Sequence, residues 1–319
     1  MSLKSTGFFS HPDCRKHEMG AGHPECPERL AVIDDHLLYI GLSDVLAQYS
    51  APLAALSSLE LAHSHQHIAS LRGLGDLLMD EIDAGGPTHA QIDPDTSINV
   101  HTWQAALRAA GAAVAATDAV MSGEIANAFC SVRPPGHHAE SDKAMGFCFF
   151  NNVAIAAKYA LDRHRLKRVA IVDFDVHHGN GTEDIVGGDK RILMVGLFQH
   201  PYYPHSGVDH VPNNTLNLPI PAYTKGMEIR ELIEHTWMPR LEAFKPEMIF
   251  ISAGFDAHRD DDMGQLGLVE QDYAWITSRI KDVARRHSKS RIVSCLEGGY
   301  NLNALARSVE AHIRVLADL

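Results

Sequence analysis

From residue 126 onward the chain repeats one unit: a short apolar run rich in branched residues, a polar loop, then a stretch with helical periodicity. The runs predict strands at 126–132, 168–173, 192–197, 247–252 and 291–296. The intervening periodicity predicts helices at 152–164, 225–243, 270–286 and 301–317. Strands that alternate with helices lie parallel and are covered on both faces. An α/β chain of this kind binds its ligands in the crevice beyond the carboxyl ends of the strands. No linker, internal repeat or low-complexity segment breaks the pattern, so residues 1–319 read as one domain.

The N-terminal part is less regular. An extended start and a polar loop rich in His, Pro and Gly reach residue 28, and Pro27 suits the first turn of a helix running to about residue 40. Residues 56–79 carry two short helical patterns separated near Gly73 and Gly75. His63, His65 and His67 alternate, match no helical face, and read as structural or surface residues. A second loop covers 83–99, and an alanine-rich helix covers 102–121. Loops as long as 11–28 and 83–99 are more often functional than idle; these two suit the mouth of a pocket or self-association into a homo-oligomer.

The net charge of -12, without any basic block, argues against direct partnership with nucleic acid or an anionic membrane and weakly favours a cationic substrate. The N-terminus lacks the apolar core of a signal peptide, and no run approaches membrane-spanning length. Five cysteines without a CxxC pair suit a reducing, cytoplasmic setting and give no zinc–sulfur site.

Chemistry concentrates where the strands end. The first runs into Arg133-Pro-Pro-Gly-His137-His138, a rigid turn presenting two imidazoles whose ordinary pKa suits acid–base work. The second delivers Asp173, Asp175, His177, His178 and Asn180. Asp175 and His177, two apart, project to one face, while Asp173 sits deeper, placed to orient an imidazole. The third is followed by aromatics, including Tyr202 and Tyr203, that make a wall. The fourth ends in Asp256, either a helix cap or a third ligand. The fifth ends in Glu-Gly-Gly before Tyr300, whose hydroxyl can be aimed at the site. Two aspartates and a histidine leave one position open, the arrangement of a catalytic zinc. With His138 as base and Tyr300 at the oxyanion, the parts suit hydrolysis of an amide or ester.

RPPGHHAE (133–140), GFCFFNN (146–152), DFDVHHGNGTE (173–183), SAGFDAH (252–258) and LEGGYN (296–301) resemble, in order, the signature blocks of the zinc-dependent histone deacetylase and acetylpolyamine amidohydrolase superfamily. The resemblance spans residues 23–301 and implies an arginase/deacetylase-like three-layer fold around a mostly parallel eight-stranded sheet. It implies catalytic zinc (Zn2+) on Asp175, His177 and Asp256, with His137 and His138 as the tandem histidines and His138 as proton shuttle. Asp173 matches the residue that bonds the first histidine, and Tyr300 the tyrosine that polarises the scissile carbonyl. Phe147 and Tyr203 match the aromatic walls of an acyl-lysine tunnel. Gly146 matches a glycine whose carbonyl accepts the substrate N–H, and Gly299 joins the substrate-binding set. Arg29 falls where the family places an arginine lining a channel for product acetate.

Asn180 stands where class I enzymes have aspartate, which with LEGGYN points to class II. Backbone carbonyls around Asp173, Asp175 and His177 suit a structural potassium ion (K+), although Gly196 lacks the hydroxyl often found at its position. Polyamine-specific relatives often carry glutamate at the mouth; this chain has Met263, which favours an acyl-lysine substrate, with Asp260 to Asp262 beside it as the argument for an acetylpolyamine. A two-metal ureohydrolase needs bridging aspartates that His178 and Asn180 do not supply. A catalytically silent acyl-lysine-binding protein would be expected to lack Tyr300 or a ligand.

Overall fold

The computed structural model describes residues 5–319. The chain forms β1 (Thr6–Ser10), α1 (Glu28–Tyr39), β2 (Ala47–Ser50), a single turn α2 (Leu56–Leu59) and α3 (His65–Asp83). A hairpin of β3 (Ala90–Asp93) and β4 (Thr96–Ile98) precedes α4 (Thr102–Ser122), β5 (Asn127–Cys130) and α5 (Asn152–Arg163). Then come β6 (Val169–Asp173), α6 (Asn180–Val186), β7 (Ile192–Gln199) and β8 (Thr215–Ile220). The chain finishes with α7 (Gly226–Phe244), β9 (Met248–Ala253), α8 (Glu270–His287), β10 (Ile292–Leu296) and α9 (Leu302–Leu316).

Eight strands make one parallel sheet in the order β2-β1-β5-β10-β9-β6-β7-β8. Every residue of β5, β6, β9 and β10 is buried, as expected of central strands covered on both faces. Helices α4 and α5 pack on each other and over this centre, with Ala109, Ala110, Ala112, Ala113 and Ala116 fully buried because small side chains bring helix and sheet close. Helices α7, α8, α9 and α1 form a second row, each packed on the next. Among the described residues no helix is long and apolar enough to cross a membrane.

The five strands read from apolar runs are present, with ends shifted by one or two residues. The strands beyond those five have a physical signature of their own. β2 alternates half-buried with exposed residues, and β8 carries Asn217 and Pro219; both are edge strands with no need for a continuous apolar run. Two expectations are corrected. Helix α3 runs unbroken through Gly73 and Gly75, whose cost in a helix is offset by the packing of Ile68, Leu71 and Leu78. The 83–99 loop contains the β3–β4 hairpin. His63 and His67 are buried: His63 accepts from Asn151 N at 2.9 Å, and His67 donates to the Phe149 carbonyl at 2.8 Å.

Candidate active site

β5, β10, β9 and β6 are neighbours at the centre of the sheet, and the loops leaving their C-terminal ends carry His137–His138, Glu297–Tyr300, Asp256 and Asp173–Asn180. Asp175, His177 and Asp256 each turn one ligating atom inward, and these atoms lie within 4.8 Å of one another. His177 presents Nδ1, 3.1 Å from Asp175 Oδ1 and 3.2 Å from Asp256 Oδ2. Asp256 Oδ2 is buried without a hydrogen-bond partner, a state that a cation would relieve. Gly298 completes the cradle: a Cβ there would stand 2.0 Å from Asp256 Oδ2 and 2.7 Å from Asp175 Oδ2, while its own N–H donates to Asp175 Oδ2 at 2.8 Å. One imidazole and two carboxylates fit a zinc-like ion. Asp173 stays behind them, accepting from His137 Nδ1 at 3.0 Å and from Asp175 N at 3.1 Å.

The two tandem histidines are held in opposite states. Burial disfavours an imidazolium at His137, but Asp175 and Asp173 outweigh it and hold the pKa well above the ordinary value. At His138 burial acts first, and His137 and His177 reinforce it, so its pKa lies well below the ordinary value. Asn180 fixes the tautomer. Its Nδ2 donates to Glu140 Oε1 at 2.7 Å, so its Oδ1 faces His138 Nδ1, also at 2.7 Å. His138 therefore carries its proton on Nδ1 and keeps the lone pair on Nε2.

A cavity of about 180 Å3 rises from the cluster, lined by His138, Gly146, Phe147, His177, Tyr202, Tyr203, Met263, Tyr300 and Asp95. Gly146 has φ 55° with His138 packed where a side chain would go, its prospective Cβ 2.5 Å from the ring. Phe147 also has a left-handed backbone (φ 68°), pinned by Thr96 Oγ1, which accepts its N–H at 3.0 Å. The hairpin thus holds one tunnel wall. His23, from the 11–28 loop, packs edge-on against Phe147 at 4.7 Å and donates to the Asp95 carbonyl at 3.1 Å. Both loops shape the mouth.

Gly299 lies outside the cavity lining, its carbonyl taken by Arg29 Nε at 2.7 Å. Arg29 is fully buried, and each nitrogen meets a protein oxygen: the Gly299 carbonyl, Glu25 Oε1 at 2.9 Å and the Glu297 carbonyl. Glu25 also accepts from Arg133, and these two cations keep its carboxyl well below the usual range despite burial. Arg29 here ties the Tyr300 loop to Glu25, with its guanidinium carbon 4.9 Å from the Tyr300 ring centre.

Several participants carried no role in the sequence reading. Glu297 is fully buried and accepts from Gly136 N (2.7 Å), His137 N (3.1 Å) and Ser252 Oγ (3.0 Å), locking the histidine turn to β10 and β9. Its signal was an acid directly after an apolar run. Asp95 had none beyond its place in a long loop. Of the three acids at 260–262, Asp261 is buried and Asp262 exposed, while Asp260 lies within 4.0 Å of Arg259, Arg307 and His258.

Fold and site together define a deacetylase-type amidohydrolase: the chain superposes on the crystal structure of the HDA15 HD domain with a TM-score of 0.90 at 31% identity, covering 99% of this chain and 88% of that one, and shares its arginase/deacetylase fold. The family model for the histone deacetylase domain matches residues 23–316, and the chain belongs to that family. It is 36% identical to the histone deacetylase-like amidohydrolase of Pseudomonas aeruginosa over 88% of this chain and 73% of that protein. It is 42% identical to the type-2 histone deacetylase 2 of Dictyostelium discoideum over 70% of this chain, which spans only 14% of that much longer protein.

Proposed function

We propose that this protein is a zinc-dependent deacylase that removes acetyl or similar acyl groups from lysine side chains. The observation that carries the reading is the floor of the cavity, where a three-ligand cluster adjoins a neutral imidazole with its lone pair on Nε2. Zinc held by Asp175, His177 and Asp256 supplies Lewis-acid polarisation and makes water more acidic. Phe147 and Tyr203 flank a slender alkyl chain, and the Gly146 carbonyl, which accepts only the weak Cys148 Sγ–H donor at 3.3 Å, keeps a second lone pair for the amide N–H. His138 Nε2 takes a proton from the attacking water and returns it to the leaving amine as the C–N bond breaks. His137, kept protonated between Asp173 and Asp175, contributes positive charge, and the Tyr300 hydroxyl hydrogen-bonds the oxyanion. The same reading assigns a structural potassium ion to backbone carbonyls around Asp173, Asp175 and His177. We read residues 1–319 as one catalytic domain working in the cytoplasm.

A second reading, an acetylpolyamine amidohydrolase, draws on Asp95 at the cavity and exposed Asp262 at the mouth. Acetate release from an acetyl-lysine peptide and from acetylspermidine, at matched concentrations on zinc-loaded protein, separates the two. Faster peptide turnover supports the first, and faster acetylspermidine turnover replaces it with the second. No acetate from either removes both substrates.

A further inference from the structure

We infer that Asp261 is the positioning residue of Tyr300, acting through the peptide groups on both sides of its ring; the inference rests on the oxyanion role proposed for Tyr300. Asp261 lies in the loop after β9, five residues past the ligand Asp256, and is 4% exposed. Its Oδ2 accepts the N–H of Tyr300 at 2.6 Å and of Asn301 at 2.8 Å, and its Oδ1 accepts that of Met263 at 3.0 Å. No cation lies within ion-pair distance of it among the described residues. A buried carboxylate without a counter-ion is costly unless its oxygens are hydrogen-bonded, and here three backbone donors meet them.

The opposite side of the same segment is held by a cation, since Arg29 binds the carbonyls of Glu297 and Gly299. The peptide around Tyr300 is thus gripped by an anion on its N–H groups and a cation on its C=O groups. Between them Gly299 has φ 118°, open to glycine and hard for other residues, so the segment has alternative conformations to lose. The Tyr300 ring edges Phe147 at 5.9 Å, which limits its tilt but leaves its backbone to Asp261. Because the same carboxylate holds Met263, the mouth and the tyrosine are fixed to one point. Asp261 is consequently unavailable to a cationic substrate.

A merely structural alternative exists, because Asn301 caps α9 through Ala304 N at 3.0 Å and Asp261 anchors that cap. The test separates the two. Asp261→Asn keeps the shape but retains one accepting oxygen, so one grip is lost. With zinc content and melting temperature measured alongside, kcat should fall about ten- to hundredfold, as for a misplaced reacting group, with KM within about twofold. In the Tyr300→Phe background the same substitution should lower kcat no further. Asp261→Glu, which keeps both oxygens but moves them, serves as a second variant should the amide fail to fold, and its loss should likewise vanish beside Tyr300→Phe. An equal fractional loss in both backgrounds, or wild-type kcat in the single variants, overturns the inference. Full turnover by Tyr300→Phe alone would instead remove the oxyanion role, and the inference with it.

Discussion

Replacing Asn180 by aspartate should move the acid limb of the pH–rate profile upward. The amide oxygen of Asn180 lies 2.7 Å from His138 Nδ1, so a carboxylate there places a full charge about 4 Å from the centre of an imidazolium. At an effective dielectric constant of about 20 that is worth about 4 kcal/mol, or about three pKa units. Desolvation of the new carboxylate makes this an upper bound. The sign follows from the role: His138 is neutral as a base, and burial with neighbouring positive charge keeps its pKa below the ordinary value. Raising that pKa protonates it in a range where the natural protein is active, so kcat/KM at pH 6 falls while the value at pH 8 is little changed. Glu140 complicates the single substitution, because its Oε1 is 2.7 Å from the Asn180 amide nitrogen and two carboxylates in contact share a proton. The cleaner variant is Asn180→Asp with Glu140→Gln, whose amide donates to the new carboxylate. The acid limb, read from kcat/KM between pH 5 and 9, should move about one unit or more, and further in the double variant than in the single. An unmoved limb in folded, metal-loaded double variant would refute the coupling and with it His138 as the titrating base.

Three further outcomes are expected. Asp256→Ala should abolish stoichiometric metal binding, read by metal analysis after dialysis; full occupancy would show the ligand set to be wrong. Gly298→Ala drives a methyl group into the cradle, 2.0 Å from Asp256 Oδ2, and should weaken zinc affinity by at least about tenfold while leaving the far-ultraviolet circular dichroism unchanged. Burial and the adjacent Asp175 push the metal-free Asp256 carboxyl up to about 7, whereas the neighbouring carboxylates of Asp175 and Asp256 overcome burial to raise His177 to about 9. Both protons must leave when metal binds, so affinity should rise about a hundredfold per pH unit below 7, about tenfold per unit from 7 to 9, and level off above. A competition titration that is flat between pH 6 and 9 would contradict this.

How much of this was legible in the sequence depends on what each residue does. The central strands were readable because burial on both faces requires unbroken apolar runs, as in Val169–Val172. Asp175, His177 and Asp256 were readable because ligand chemistry follows directly on those runs. β2 and β8 were not, because an edge strand satisfies its backbone on one side and tolerates Gln48 or Pro219. The charge of Asp261 is visible in the sequence and its use is not: three successive acids look alike, and only folding turns the middle one onto backbone N–H groups. The partners of Arg29 are equally invisible locally, being carbonyls about 270 residues away together with Glu25 four residues before it. Such pairings depend on distances along the chain that no local pattern encodes.

The strand order carries a consequence for biosynthesis. β9 and β10, which come after the other six strands of the sheet in chain order, fill the gap between β5 and β6, and they bring Asp256 and Tyr300 with them. A nascent chain that stops before β9 therefore has the two halves of its sheet unjoined and a ligand set without Asp256, and one that stops before β10 still lacks the join and Tyr300. Contacts this distant in sequence form slowly, and until they form the exposed flanks of β5 and β6 are open to other strands. Hydrolytic activity is thereby withheld from partial products that end before Tyr300, and the interval before the centre closes is when the polypeptide most needs a chaperone.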